Sequence, residues 1–166
     1  MNKDQRISYF YKKVALGEFP DKELEARKKF GDKMVDAVLC RVKFLSITDN
    51  GRSYCFYEEA ILLPGWAYKK GELEKLSLYE LAHEVGHIIP PWIIDINCWL
   101  LHKGWYSKNL VYSRLNVITE VLATLMGYGV MISCGIWPKY WWLYLSTQVK
   151  AYWTMTYQKA PEVFLK

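Results

Sequence analysis

Two of the chain's three histidines stand four positions apart in the run His83-Glu84-Val85-Gly86-His87. On an α-helix, positions i and i+4 share one face, so both imidazoles reach the same point. Neutral imidazole nitrogen is a ligand for zinc, and a catalytic zinc takes three protein ligands and keeps one position open. Glu84 follows the first histidine directly. Its carboxylate can flank a metal without binding it and take a proton from a water molecule. The metal lowers that water's pKa from 15.7 toward about 7, which is why the motif needs a base between its two imidazoles. The spacing therefore predicts His83 and His87 as ligands and Glu84 as the catalytic base.

A third ligand is required. Glu120 is the only acidic residue between Asp95 and Glu162, and it lies in an otherwise apolar helical stretch. A lone carboxylate on a buried helix is costly unless it is paired or bound to a cation. His102, fifteen positions past His87, is the alternative third ligand. A donor to a developing oxyanion is harder to choose among 13 tyrosines. Tyr112, Tyr128 and Arg114 fall in the right region, as does Tyr106. Asn116 or Asp95 could accept from a ligand imidazole and fix its orientation.

The elements that position these groups are read from periodicity. Ile7, Phe10, Tyr11 and Val14 predict a first helix, broken at Gly17 and Pro20. Asp21 caps a second helix that runs to Phe30 and ends at Gly31. Residues 37–47 read as a strand, Asn50-Gly51 as a hairpin turn, and 53–63 as the returning strand. Ser77 and Glu80 form a capping-box pattern for a helix to about Ile89, stopped by Pro90-Pro91. Trp92–Trp105 is a short helix or covering loop, Asn109–Met126 a buried helix, and Tyr140–Tyr157 an aromatic-rich last helix. The expected fold is α+β in one domain, 1–166. A small antiparallel or mixed sheet (hairpin about 37–63) packs on the histidine-bearing helix, the helix of Glu120 and the last helix. Residues 1–36 form a helical N-terminal extension, and 135–166 an aromatic C-terminal one.

Composition narrows the function classes. With 52% hydrophobic and 23% charged residues over 166 positions, the chain is not disordered and can bury a core. A net charge of +5 falls short of a nucleic-acid footprint, so no nucleic acid is expected. Cys40, Cys55, Cys98 and Cys134 are too far apart for a CxxC site and read as buried apolar fillers. The first residues contain no signal-like apolar run, so a cytoplasmic protein with reduced thiols is expected. Residues 121–138 carry no charge. They read as a buried helix and turn rather than a membrane span. The aromatic block of 137–157 reads as core packing. A wall for a bound polypeptide, or membrane-surface contact with Lys139 and Lys150 at the headgroups, are its other readings.

The segment Leu81-Ala82-His83-Glu84-Val85-Gly86-His87-Ile88-Ile89, with Glu120-Val121-Leu122-Ala123 and Leu125-Met126 further on, resembles the zincin metallopeptidases, most nearly the ImmA/IrrE-type family of small intracellular proteases. The resemblance covers residues 37–127. It implies zinc as cofactor, His83, His87 and Glu120 as ligands, and Glu84 as general base. His102 as third ligand would instead resemble the SprT-like zincins. The expected activity is zinc-dependent cleavage of a specific protein or peptide substrate, which in such families includes regulatory proteins. The alternatives are a non-catalytic protein-binding module with a structural or vestigial zinc site, and a membrane-associated metalloprotease. Membrane contact is not the favoured expectation, and the oligomeric state is left open.

Overall fold

The computed structural model describes residues 2–49, 51–71, 73–90, 92–96, 99–100 and 110–154, with backbone alone at 110–113 and 154. Helix α1 (Lys3–Ala15) begins in a reciprocal cap: the Asn2 side chain accepts from the Gln5 N–H, and the Gln5 side chain accepts from the Asn2 N–H, each at 2.9 Å. Its one fully buried residue, Phe10, stacks against Phe19, Phe44 and Phe56, with ring centroids 5.1, 5.5 and 4.6 Å away. That aromatic cluster fastens the helix to the sheet. Helix α2 (Glu23–Phe30) starts where the Asp21 carboxylate accepts from the Glu23 N–H, and it ends at Gly31, whose φ of 85° favours glycine. Helix α3 (Asp32–Leu39) follows at once. Arg27 spans the corner with ion pairs to Glu23, Asp32 and Asp36.

The expected strand over 37–47 is helix α3 through Leu39, and strand β1 is only Phe44–Thr48. Met34, Val35 and Val38 are all buried, at the helical spacing that Ala37 and Val38 complete. The expected hairpin also differs. The segment 53–63 splits into β2 (Tyr54–Phe56) and β3 (Ala60–Pro64), joined by a tight turn in which Tyr57 has φ 51°. The sheet order is β1-β3-β2, with β3 parallel to β1 and antiparallel to β2. The segment between β1 and β2 thus connects two strands that are not neighbours, and Asn50 itself lies outside the described residues. The cause lies in β3, where all five residues are buried: a strand apolar on both faces takes the centre.

Helix α4 (Glu74–Gly86) starts earlier than its capping pattern suggests. Ser77 lies inside it and donates to the Glu74 carbonyl at 2.7 Å, while Glu80 accepts from the Ser53 hydroxyl at 2.8 Å. Helix α5 (Leu110–Ser133) is one continuous helix, longer than the expected 109–126. Gly135, with φ 80°, opens the turn into α6 (Trp141–Thr154). Residues 92–96 are helical, in line with the short helix expected there. Of the cysteines, Cys55 is buried, but Cys40 is exposed and Cys134 half-buried, so only one described cysteine is a core filler. Cys98 lies outside the described residues.

The contact that matters most for the site is between α4 and α5. A Cβ on Gly86 would collide with the Ala123 carbonyl, and a Cβ on Gly127 would collide with the Ala82 carbonyl. Each helix thus contributes one glycine to a close backbone approach, and Gly86 lies inside the histidine motif. Gly129, by contrast, faces open space. Gly127→Ala should therefore destabilise the protein by about 1–3 kcal/mol through overpacking. Gly129→Ala should be neutral or stabilising by up to about 1 kcal/mol, as in any exposed helix interior. Urea denaturation of the two variants checks this, and equal effects would contradict the close approach.

Candidate metal centre

Helix α4 presents His83 and Glu84, with His87 at its C-terminal end, and α5 presents Glu120. His83, His87 and Glu120 are 3%, 6% and 1% exposed. Their potential ligand atoms converge. Glu120 Oε2 lies 2.8 Å from His83 Nε2 and 3.4 Å from His87 Nε2, and the two ring nitrogens are 3.2 Å apart. This buried group could hold a metal ion.

Thr124 decides which nitrogen of His83 is available. Its hydroxyl donates to the Glu120 backbone carbonyl at 2.8 Å, so its one proton is spent. The Thr124 oxygen, 2.8 Å from His83 Nδ1, must then accept from an Nδ1–H. That fixes the tautomer and turns the Nε2 lone pair toward Glu120. Two imidazole nitrogens and a carboxylate oxygen then face one another, and electron pairs at such distances repel unless a cation sits among them. In the metal-free protein the cation is a proton. Burial pulls the His83 pKa down, but the hydrogen bond and charge of Glu120, helped by Glu84 and Glu80, outweigh it and raise it to about 9. Burial pushes Glu120 up, yet the charge of His87 and the bonds from both histidines hold its carboxyl well below the usual range. Burial lowers the His87 pKa. Neutral His87 and ionised Glu120 are the forms a metal needs.

Glu84 is buried but lines an open cleft of about 160 Å³ between the 51–53 turn, α4 and α6. Arg52, Ser53, Glu80, His83 and Tyr152 share its walls. Burial raises the Glu84 pKa to about 8. The negative charges of Glu120 and Glu80 add to the shift, while His83 and a hydrogen bond from the Cys55 backbone oppose it. A carboxyl poised there exchanges protons near neutral pH. Tyr144 packs its ring 6.0 Å from that of His83, and its buried hydroxyl interacts with the Glu80 carboxyl.

The sequence-derived candidates divide. His83, Glu84, His87 and Glu120 come together. His102 and Tyr106 lie outside the described residues, as does the Tyr112 side chain. Tyr128 is not turned to the site: its hydroxyl donates to the Trp141 carbonyl at 2.6 Å. Arg114 is exposed and lies over the Trp153 ring at 4.8 Å. Asp95 is exposed. Asn116 is buried on the Glu120 face of α5, but no contact with an imidazole is formed; its Oδ1 and His87 Nδ1 both lack partners among the described residues. Thr124 takes the orienting role expected of Asn116 or Asp95. The signal for it was its place one turn after Glu120 on the same face.

Because metal-free His83 keeps its proton below about 9, a divalent ion must displace it. Uptake at pH 7.5 should release about one proton, and affinity should rise about tenfold per pH unit from 7 to 9 and then level off. Thr124→Val should weaken metal binding about 10–100-fold. Calorimetry in buffers of different ionisation enthalpy measures both, and uptake without proton release would contradict the assignment. No family model, no curated protein and no solved structure matches the chain, so the chemistry of these side chains carries the functional reading.

Proposed function

We propose that the protein is a zinc-dependent endopeptidase acting on a specific protein or peptide substrate. The observation that carries this reading is the position of Glu84. It stands next to a buried His/His/Glu donor set and, together with His83, lines a cleft. Two imidazoles and one carboxylate suit zinc, whose nitrogen and oxygen ligands at 2.0–2.2 Å stand about 3.3–3.5 Å apart in a tetrahedron. The donor separations of 2.8, 3.2 and 3.4 Å need little adjustment to meet that. Structural zinc sites are closed by four protein ligands. The cleft beside Glu84 and His83 favours the catalytic form over a purely structural one.

A zinc ion held by His83, His87 and Glu120 would supply Lewis acidity, polarising a carbonyl and acidifying water. The chain's own groups do the rest. Thr124 keeps His83 in the ligating tautomer. Glu84 takes a proton from the attacking water and returns it to the leaving amine. The Cys55 N–H holds that carboxylate in place. The grouping of His83, His87 and Glu120 beside Glu84 supports the zincin reading that the sequence resemblance implies.

Glu84→Gln is the decisive variant. It should retain the fold and one equivalent of zinc while peptide cleavage falls about 10²–10⁴-fold. A peptide library read by mass spectrometry measures the cleavage, and elemental analysis measures the zinc. Cleavage that survives in Glu84→Gln would overturn the role of Glu84 as the base, and zinc-loaded wild-type protein that cuts nothing would leave the site as a structural anchor in a binding module.

A further inference from the structure

The inward face of α5 carries the metal centre, but its outward face is also unusual. Among the described residues, Arg114–Ser133 is long and apolar enough to cross a membrane, yet only half of that stretch is buried. The uncovered half is one continuous face. At 100° per residue, Leu115, Ile118, Leu122, Leu125, Met126 and Ile132 fall within about 120° of one another. Ile118 is 59% exposed and Ile132 51%. Between Arg114 and Ser133 the exposed positions carry no charged side chain and no hydrogen-bonding one. Glu120 does not break the pattern, because it faces inward. A solvated helix face of this length is normally polar, and a contiguous apolar patch marks an interaction surface.

The start of this face carries a cation on an aromatic ring, with Arg114 over Trp153 at 4.8 Å. Beyond the end of α5, Lys139 lies over the Tyr140 ring at 5.9 Å, and Lys75 of α4 over the same ring at 5.7 Å. Trp137 is 75% exposed and Trp142 63%. From 121 to 161 the chain has no acidic residue. Apolar in the middle, aromatic and cationic at the rims, acid-free throughout: this is the pattern of a surface that settles into the interfacial zone of an anionic bilayer.

We propose that the outward face of α5, with the tryptophans of the 137–153 region, docks the protein onto the surface of an anionic membrane. The helix lies in the interface and does not cross it, because its other face is committed to α4 and carries Glu120. Two features favour lipid over another occupant. Specific protein interfaces carry about one hydrogen bond per 100–200 Å², and this face offers no side chain to make one. A second copy pairing helix to helix would need flanking charges of both signs to set register, and among the described residues the stripe on α5 is flanked by Arg114 alone, with no acid beside it. A bilayer requires neither.

Vesicle co-sedimentation of the full chain tests the proposal, with phosphatidylcholine alone and with about a third phosphatidylserine. Wild-type protein should pellet with the anionic vesicles and shift its tryptophan emission to shorter wavelength. Ile118→Glu/Leu125→Glu, at exposed positions away from the metal centre, should weaken binding at least tenfold and leave metal uptake unchanged. Lys139→Glu should weaken it by about fivefold or more, and only on anionic vesicles. Wild-type protein that ignores both vesicles, or a double variant that binds as well as wild type, would overturn the proposal. So would light scattering that shows a dimer which the double variant splits, since the face would then be a contact between copies.

Discussion

Two helix backbones approach at Gly86 and Gly127 more closely than any side chain would permit, and the cluster of His83, His87 and Glu120 exists because they do. The approach carries the Glu120 carboxylate across to His83 and His87. It also encloses three electron-rich atoms with no donor between them except a proton. Burying a carboxylate this deeply is costly unless a positive charge compensates it. The His83 proton compensates it in the metal-free state, and a divalent ion does so better. Structure and chemistry therefore make the same demand: the packing that gives the domain its core creates a place that needs a cation. Thr124 adds direction by fixing which nitrogen faces that place.

Much of this was legible in the sequence, for physical reasons. The motif at 83–87 depends only on helical periodicity, which the local sequence sets. Glu120 stood out because a single acid in a long acid-free stretch has no ordinary explanation. What stayed hidden depended on tertiary context. Asn50-Gly51 is a hairpin signal, but sheet order is decided by which strand is apolar on both faces, and that strand is β3. Ser77 and Glu80 match a capping pattern, yet Glu80 turns instead to Ser53, on a segment 27 residues away. Thr124 looked like one more residue of an apolar helix. Its role appears only when the distance to His83 is known.

The uncharged run in α5 has two causes that the sequence merges. On the inner side, the buried polar side chains are few, Asn116 and Thr119 beside Glu120 and Thr124, because a buried polar group is costly without a partner. On the outer side, polar residues are missing where water would ordinarily favour them. The expectation of a fully buried helix followed from reading both absences as one. The structure separates them: one face is enclosed by α4, and the other is exposed, with Arg114 on the Trp153 ring at its start.

X-ray absorption at the metal edge of the zinc-loaded protein tests the central claim most directly. The account predicts only nitrogen and oxygen neighbours at about 2.0–2.2 Å, with the outer-shell scattering of two imidazoles. A sulfur neighbour at about 2.3 Å, or the signature of a single imidazole, would contradict it. The ion would then lie somewhere other than between α4 and α5.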